Sequence, residues 1–357
     1  MLRLPYRPEY FGAYMGSALT QVSEISFTWD ELIRAAITVG RRNWSDVLRH
    51  GTYSILEGLW RVAIVRANLI EEPDGRLGES SAFRDLDPSE RGAISYFLGL
   101  TFTKLIADKL FSVPWLLHLD VYRQDLNPHL ALPIKPDFVG MDAHQQWLVA
   151  ESKGRTSPVG RQALEDAKRQ TRSLRNLNGA LPALRIAVGT YFTSGMSRAR
   201  IWDPDEFDES AVDLSIPLED FARAYYRPLV EIVEQLPPAE TRTIGESGRG
   251  VQLSGLDAVL SLDREILAWY HGTGSSWDEI LAARRTVPSV LQQIVELRRM
   301  AESDRQATMM RDTEKRDLLG SRRLQEPSFK GSDGVYLELG PSWNEEFMRR
   351  EPEDRGR

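Results

Sequence analysis

Two short runs of strand-forming residues near the middle of the chain constrain the fold more than any other feature of the sequence. They cover residues 136–141 and 147–152, and the five residues between them, DAHQQ, have the polarity of a hairpin loop. Two runs joined by so short a loop pair as antiparallel neighbours. The sequence therefore predicts a β-hairpin whose loop centres on His144.

The register of this hairpin brings charged side chains together. With His144 at its centre, Asp137 lies opposite Glu151, and both point to the same face as Lys153 because strand side chains alternate. Two carboxylates directly opposite each other repel and weaken a hairpin. A divalent cation between them removes the repulsion, and hard oxygen ligands of this kind suit Mg²⁺ or Mn²⁺.

Such a group of side chains has the chemistry needed for phosphodiester hydrolysis. A carboxylate-bound metal lowers the pKa of its bound water and polarises a phosphoryl oxygen. Lys153 would orient that water and add positive charge near the scissile phosphate. The alternative interpretation is an ordinary polar hairpin, in which Lys153 neutralises Glu151 or Asp137 in a cross-strand ion pair.

The elements around the hairpin follow a definite order. The segment Asp87-Pro88-Ser89-Glu90 is a strong helix start, with a cap, a proline in the first turn and a glutamate three residues after the cap. This helix is expected to reach about Phe111. After it we expect three strands, a helix and a strand, at residues 116–122, 136–141, 147–152, 158–177 and 184–192.

The motif Pro136-Asp137 followed by Glu151-Ser152-Lys153, in a hairpin inside this element order, resembles the PD-(D/E)XK nuclease superfamily. That superfamily includes restriction endonucleases, RecB-type exonucleases and Holliday junction resolvases. The resemblance covers about residues 87–192. It implies an α/β fold with a restriction-endonuclease-like core of helix, three strands, helix and strand, extended here by helical N- and C-terminal additions.

The resemblance also implies a role for each motif residue. Asp137 and Glu151 would bind Mg²⁺ or Mn²⁺, and the backbone carbonyl of Ser152 would complete part of the metal shell. Lys153 would be the catalytic lysine. Some members add a glutamate from the first core helix, but the corresponding stretch has none between residues 93 and 110.

Two glutamates nearby are weak candidates for that further ligand. Glu90 lies in the first turn of the helix and is expected to serve as a cap. Glu57 lies among apolar residues on the preceding predicted helix. The sequence therefore leaves the identity of a further acidic ligand open.

Gln170 lies on the apolar face of the helix predicted at 158–177, between Ala167 and Leu174. A buried glutamine needs hydrogen-bond partners, and RecB-like members place a glutamine on this helix facing the active site. The tyrosine that often follows four residues later in those members is Leu174 here. The resemblance thus adds Gln170 to the catalytic residues, whereas the alternative is a polar residue at the edge of the core.

Basic residues recur along the same predicted helix. Four of them form one stripe if the helix is continuous: Arg161, Lys168, Arg172 and Arg175. With Arg155 nearby, this stripe is the best candidate for contact with a phosphate backbone. It would let a chain of net charge −7 bind nucleic acid locally. The alternative is a solvated helix face.

Composition narrows the class of protein. The chain has no cysteine, which excludes disulfides and cysteine-bound zinc or iron–sulfur sites, and its five histidines show no zinc-ligand spacing. The N-terminal residues make a poor signal peptide, and no run of about 18 apolar residues suggests a membrane span. We expect a cytoplasmic protein with no membrane partner.

The rest of the chain is expected to be mostly helical. Residues 1–25 are expected to be irregular, and helices are predicted at about 28–39, 44–68, 217–235, 254–270 and 276–300. Residues 71–86 are expected to form an exposed loop, and the segment VYLEL in the tail can pair as a strand. The predicted divisions are a helical extension (1–86), a nuclease core (87–200), a helical region (201–301) and a charged, partly disordered tail (302–357).

The leading hypothesis is a metal-dependent deoxyribonuclease, in restriction or antiphage defence, that acts on DNA as a homodimer or with a partner subunit of a defence system. The first alternative is a repair or recombination nuclease, such as a RecB-like exonuclease or a junction resolvase, which would prefer free ends or four-way junctions. The second is a non-catalytic subunit that binds nucleic acid or a protein partner. Retention of all three motif residues argues against the second.

Overall fold

The structure is a computed structural model of the chain. It describes residues 1–12, 15–39, 53–120, 122, 135–203, 210–235, 241–244, 248–253, 257–286, 288–307 and 331–343. These residues form a mixed α/β fold, which confirms the general class expected from the sequence.

The strands, in chain order, are β1 Leu2–Glu9, β2 Ser23–Phe27, β3 Leu69–Glu71, β4 Leu77–Glu79, β5 Trp115–His118, β6 Phe138–Met141, β7 Trp147–Gly154, β8 Leu174–Leu177, β9 Leu184–Thr193, β10 Met196–Trp202, β11 Val212–Leu214, β12 Thr241–Ile244, β13 Gly248–Leu253, β14 Ala258–Asp263 and β15 Val335–Leu339. The helices are α1 Ser17–Thr20, α2 Trp29–Thr38, α3 Tyr53–Asn68, α4 Ser81–Asp85, α5 Pro88–Phe111, α6 Arg161–Thr171, α7 Leu218–Gln235, α8 Arg264–Tyr270, α9 Trp277–Arg284 and α10 Val290–Ala307.

One large mixed sheet organises the described part of the chain. Its main path is β2-β1-β10-β9-β7-β6-β5, and β3 and β4 join it beside β10. β7 runs parallel to β9, and β1 runs parallel to β10, whereas the other neighbouring pairs on this path are antiparallel. The strand that carries two of the three motif residues, β7, therefore lies inside the sheet, between β6 and β9.

The predicted hairpin is confirmed, including its register. Val139 pairs with Val149, and the ladder runs from Phe138 to Met141. Asp142 closes the loop because its Oδ1 accepts hydrogen bonds from the backbone N–H groups of His144, at 2.9 Å, and Gln146, at 2.8 Å. This local use of an aspartate to cap its own turn explains why a five-residue polar loop was a reliable signal.

The helix start at Asp87 is also confirmed. The Asp87 side chain accepts hydrogen bonds from the backbone N–H groups of Ser89 and Glu90, and the Glu90 side chain accepts from the backbone N–H of Asp87. The helix α5 that follows ends at Ser112, whose φ of 56° places it in the left-handed region. Pro114 comes two residues later, where a helix cannot continue.

Helices cover both faces of the sheet where β7 lies. On one face, α5 approaches β7 so closely that a methyl group on Gly154 would lie 1.8 Å from the carbonyl oxygen of Ser95. On the other face, Leu164 and Ala167 of α6 pack in a small buried cluster with Ala187 and Trp202 of the sheet. Alternation along β7 therefore directs Ser152 and Gly154 toward α5, and Glu151 and Lys153 toward α6.

The helix predicted at 158–177 is shorter than expected. α6 ends at Thr171, and residues 174–177 form β8, which pairs in parallel with β11. The hydroxyl of Ser173 donates to the carbonyl oxygen of Gln170 at 2.7 Å, and this side-chain bond to the backbone competes with continuation of the helix. The apolar spacing of Leu174 fits a helix and a strand equally well, so the distant partner β11 decided the outcome.

The N-terminal region contains strands that the sequence did not suggest. Residues 2–6 of β1 pair with β2, and residues 6–9 pair with β10. Pro5 and Pro8 are tolerated because each has a strand partner in these ladders on one side only. The expectation of an irregular segment was wrong, and the description of residues 1–86 as helical covers only part of that region.

Other differences lie at element ends and in the C-terminal half. The strand expected at 116–122 is β5, Trp115–His118, and the loop expected at 71–86 contains β4 and α4. Where a helix was expected at 254–270, the structure has the strand β14 followed by the helix α8. β14 belongs to a four-stranded sheet of order β12-β13-β14-β15. The helix expected at 276–300 is two helices, α9 and α10, separated near Pro288.

Several predictions agree with the structure. The helix predicted at 28–39 is α2, which begins at a capping box of Thr28 and Glu31. The helices predicted at 44–68 and 217–235 and the strand predicted at 184–192 correspond to α3, α7 and β9. The segment VYLEL forms β15. The start of the helix predicted at 44–68 and most of the charged tail lie outside the described residues.

The C-terminal helices pack against the hairpin loop. Arg285 donates to the carbonyl oxygen of Ala143 at 2.8 Å, and the hydroxyl of Ser289, just before α10, donates to the carboxylate of Asp142. These contacts support the hairpin from the end opposite the motif residues. No helix in the described parts of the chain has both the length and the apolar character that crossing a membrane requires.

The close approach of α5 and β7 predicts a large effect of a single methyl group. Gly154→Ala should lower the free energy of unfolding by about 3 kcal/mol, since α5 must move away from the sheet. Gly92→Ala, which changes a glycine of α5 itself, is the matched control. A methyl group there meets nothing within 4 Å, so this change should stabilise the helix by up to about 1 kcal/mol. Equal urea-unfolding midpoints for the two variants would contradict this packing.

Candidate active site

The hairpin brings the backbone and side chains of the motif residues into direct contact. Asp137 precedes β6, and its backbone N–H donates to Oε2 of Glu151 at 2.7 Å. The Asp137 carboxylate in turn accepts a hydrogen bond from the backbone N–H of Ser152, with its Oδ2 at 3.0 Å. The two acidic residues are therefore held across the start of the hairpin, as the register predicted.

Lys153 lies at the centre of a small polar network. Its Nζ forms an ion pair with Oε1 of Glu151 and donates to Oε1 of Gln170 at 2.9 Å. The Gln170 amide nitrogen donates to the carbonyl oxygen of Lys135 at 3.2 Å. Gln170 therefore faces the motif residues from α6, as predicted, and its two hydrogen bonds fix the position of the lysine ammonium.

The Glu151 carboxyl is buried, with 1% of the residue exposed. Burial, followed by the negative charge of Asp137, raises the pKa of Glu151 to about 8, although Lys153 acts in the opposite direction. The folded protein thus stores electrostatic repulsion at this position when the carboxylate is ionised. A bound divalent cation would favour the ionised form.

His118 is a member of this site that the sequence analysis did not assign. It ends β5, next to β6, and its Nε2 lies 3.8 Å from Oδ1 of Asp137. Burial lowers the pKa of His118, which favours the neutral imidazole. Its Nδ1 is buried and has no hydrogen-bond partner among the described residues. The sequence placed His118 inside the strand predicted at 116–122, but nothing in the sequence indicated that this strand would pair with β6 and bring His118 beside Asp137.

The orientation of Ser152 fits the role implied for its carbonyl group. Its backbone N–H points to Asp137. In an extended strand the N–H and C=O of one residue point to the same side, so the Ser152 carbonyl is also directed toward the hairpin partner. Its hydroxyl faces α5, and Oγ is buried without a hydrogen-bond partner in the described residues.

A cavity of about 510 Å³ opens beside these residues. It is lined by Asp120, Lys135, Pro136, Asp137, Asp166, Arg169 and Gln170. Lys135 forms an ion pair with Asp120 at this surface. The cavity is large enough for a phosphate group, and both signs of charge are present on its wall.

The donor set suits a hard cation, but its carboxylates are occupied by internal partners. Asp137 and Glu151 supply oxygen atoms, and the Ser152 carbonyl supplies another, which is the chemistry that Mg²⁺ and Mn²⁺ prefer. Among the described residues, no group of three or more His, Asp or Glu side chains converges on a common point for a metal ion. Both carboxylates accept backbone N–H groups instead. The residue types therefore fit a metal, and binding one requires these carboxylates to reorient.

Of the two further glutamates, Glu90 does not complete this set. Glu90 is exposed and caps α5, as expected. The Glu57 side chain lies outside the described residues. No acidic ligand from α5 is therefore placed beside Asp137.

The basic stripe predicted on one helix face is not formed. Arg172 follows the last residue of α6, and Arg175 lies on β8, where it donates to the carbonyl oxygen of Ala211 at 2.6 Å. Arg161 is exposed and pairs with Glu165. The prediction of a single stripe was wrong because it required a helix that continues past Thr171.

The remaining basic residues lie near the site without forming that stripe. Arg155 directly follows β7 and is exposed, with its backbone N–H bonded to the carbonyl oxygen of Thr190. Lys168 lies on α6, with its Nζ 5.2 Å from the ring centre of Tyr10. Both remain candidates for contact with a phosphate backbone.

Comparison with known proteins does not assign the chain to a family. No family model, curated protein or solved structure matches it. The functional argument therefore depends on the site itself.

The buried carboxyl predicts a pH-dependent stability in the absence of divalent ions. Because the pKa of Glu151 is raised on folding, protonation of this carboxyl favours the folded state. This contribution to the free energy of unfolding is fully present below about pH 4.5 and is lost as the pH rises through about 8. Glu151→Gln removes this titration. In EDTA the stability of the wild type should therefore fall relative to Glu151→Gln between pH 5 and pH 9, measured by urea unfolding.

An exposed carboxylate supplies the control for this measurement. Glu265→Gln changes a solvent-exposed residue on α8 and should follow the wild type at every pH. A pH-independent difference between the wild type and Glu151→Gln would show that the Glu151 carboxyl is not held under electrostatic strain.

Proposed function

We propose that the chain is a metal-dependent nuclease of the PD-(D/E)XK type that hydrolyses DNA phosphodiester bonds. The observation that carries the proposal is the convergence of Asp137, Glu151, Lys153 and Gln170 at one end of a hairpin, beside an open cavity. A stable hairpin has no need of a buried carboxylate opposite a second one, since burying like charges costs free energy. A functional role therefore explains the two neighbouring carboxylates better than stability does.

Each residue has a defined role in this proposal. Asp137, Glu151 and the Ser152 carbonyl would hold Mg²⁺ or Mn²⁺, which when bound supplies an activated water and polarises the phosphate. Lys153 stabilises negative charge developing on the phosphate and orients the attacking water. Gln170 is a positioning residue, because it holds the Lys153 ammonium through a direct hydrogen bond.

The arrangement of elements supports a restriction-endonuclease-like core. A helix, three antiparallel strands, a helix and a further strand follow one another as α5, β5, β6, β7, α6 and β9. The last strand pairs in parallel with β7. The short strand β8 between α6 and β9 belongs to a separate two-stranded sheet and does not interrupt this arrangement.

The biological setting proposed is restriction or antiphage defence in the cytoplasm, with DNA as the substrate and a second copy or a defence-system subunit as the partner. This step rests on analogy with the superfamily rather than on the site. A repair or recombination nuclease is the alternative with the same chemistry. A non-catalytic subunit is the alternative without it.

Metal-dependent cleavage tests the proposal directly. Purified protein should cut plasmid or linear DNA with Mg²⁺ or Mn²⁺ and not with EDTA. Lys153→Ala and Asp137→Asn should each lower the cleavage rate by roughly 10²–10³ or more, because each removes charge from the reacting centre. Asp220→Asn, an exposed aspartate on α7, should leave the rate unchanged.

Two outcomes of this experiment contradict the proposal in different ways. Cleavage that survives both substitutions would place the chemistry elsewhere, including in a contaminating enzyme. Absence of cleavage on every DNA substrate, together with no heat of Mg²⁺ or Mn²⁺ binding in calorimetry, would favour the non-catalytic subunit.

His118 provides a second measurement on the same site. As a neutral imidazole beside Asp137, it would act as a further ligand or as the partner that orients Asp137. His118→Ala should weaken Mn²⁺ binding about ten- to one-hundred-fold in calorimetry. The control is His271→Ala, which changes an exposed histidine paired with Glu234. Unchanged Mn²⁺ affinity in His118→Ala would remove His118 from the site.

A further inference from the structure

The strand register extends the face that carries Glu151 across three more strands. Glu151 pairs with Ala187, Ala187 with Trp202, and Trp202 with Glu9. Directly paired residues point to the same face of a sheet. Neighbouring strands lie about 4.8 Å apart, so Trp202 is roughly 10 Å and Glu9 roughly 14 Å from Glu151 along this row.

A second row runs beside the first on the same face. Lys153 pairs with Gly189, Gly189 with Arg200, and Arg200 with Arg7. Arg198 lies two residues before Arg200 on β10 and therefore shares this face. The sheet thus places three arginines, from β1 and β10, on the side where the motif residues lie.

Tyr10 stands at the end of the first row, directly after β1. It is 54% exposed, and its φ of 70° is in the region that side chains other than glycine rarely adopt. Its ring meets the buried ring of Trp202 edge-on, with centroids 4.9 Å apart, and the Nζ of Lys168 lies 5.2 Å from its centre. An exposed aromatic ring held in a strained backbone conformation points to a functional constraint.

Cations predominate among the charged residues of this surface. The basic–aromatic surface is defined here as Arg7, Tyr10, Lys168, Arg198 and Arg200. Arg200 forms two hydrogen bonds with the adjacent carboxylate of Glu9, at 2.8 and 2.9 Å, and Arg7 lies 3.7 Å from the same carboxylate.

Acidic residues on the neighbouring helix have partners of their own. Glu165 pairs with Arg161, and Asp166 pairs with Arg169. The basic–aromatic surface therefore combines four cations and an exposed ring with one adjacent carboxylate, that of Glu9, in a chain of net charge −7. Charge of this sign in an acidic protein is complementary to a polyanion.

We infer that the basic–aromatic surface binds a single-stranded stretch of polynucleotide, with an unpaired base stacked on Tyr10 and the backbone phosphates along Arg7, Arg198 and Lys168. Aromatic rings flanked by cations are the means by which proteins hold unpaired bases without reading their sequence. The inference rests on the proposed nuclease function and narrows its substrate to nucleic acid with a single-stranded segment a short distance from the bond that is cut.

The exposed ring favours an unpaired base over a duplex. In a duplex the base faces are covered by their neighbours, and a protein meets phosphates and base edges instead. A duplex would use the arginines and leave Tyr10 without a partner. The role of Tyr10 therefore separates the two kinds of ligand.

Binding without cleavage tests the inference. Fluorescein-labelled single-stranded DNA, single-stranded RNA and duplex DNA of equal length are titrated with the full chain in EDTA, and anisotropy is followed at 50 and 200 mM salt. Tyr10→Leu keeps an apolar side chain against Trp202 but removes the aromatic face. It should weaken single-strand binding between roughly five-fold and one hundred-fold, whereas Tyr10→Phe should bind as the wild type does.

Two further variants separate stacking from charge and from general damage. Arg7→Gln should weaken binding to every polyanion and reduce the salt dependence by about one unit of slope. Tyr96→Ala removes another exposed aromatic ring, 44% exposed, from α5 on the opposite face of the sheet, and should have no effect. Comparison of the DNA and RNA strands shows whether the 2′-hydroxyl contributes.

The inference is overturned if the single strands do not bind at 50 mM salt, or if Tyr10→Leu and Tyr96→Ala bind alike. It is also overturned if duplex DNA binds as tightly as a single strand and is equally sensitive to Tyr10→Leu. These outcomes are distinct from failure of the nuclease proposal. If only the single-strand inference fails, DNA cleavage that requires Lys153 remains. If only the nuclease proposal fails, Tyr10-dependent binding in EDTA remains.

Discussion

The interaction on which the site depends is the placement of β7 inside the sheet, with a helix against each face. Gly154 lets the backbone of α5 lie against one face of β7, and strand alternation directs the side chains of Glu151 and Lys153 to the other face. That second face carries Glu151 and Lys153, and α6 covers it with Gln170 directed at the lysine. Moving either helix would change the position of charged groups held within hydrogen-bond distance. The same packing that stabilises the sheet therefore positions the candidate chemistry.

This placement carries an electrostatic cost. Glu151 is buried, and the charge of Asp137 adds to the effect of burial in raising its pKa. Lys153 offsets part of the cost and is itself held by Gln170. A buried ion pair of this kind is weak evidence for stability, since desolvation opposes the attraction. Its presence beside an open cavity is the basis of the metal-binding proposal.

Features that depend on a few neighbouring residues were predicted correctly, whereas features that depend on pairing with distant segments were not. Alternation along the two hairpin strands and the polar loop predicted the register of the hairpin, and the capping residues Asp87 and Glu90 predicted the start of α5. Each of these signals acts over a few residues. β1 was missed because one of its two partners, β10, lies far along the chain. α6 was predicted too long because β11, which pairs with β8, is distant in sequence.

The sequence by itself determined that Asp137, Glu151 and Lys153 share one face of a hairpin, because strand alternation and a short loop leave no other arrangement. The tertiary structure alone decided which other groups join them. It brought His118 beside Asp137 through the pairing of β5 with β6, and it aligned Arg7 and Arg200 with Lys153 through β1, β10 and β9. The physical reason is that face alternation is a property of each strand, whereas the order of strands in a sheet depends on which distant segments bury their apolar faces together.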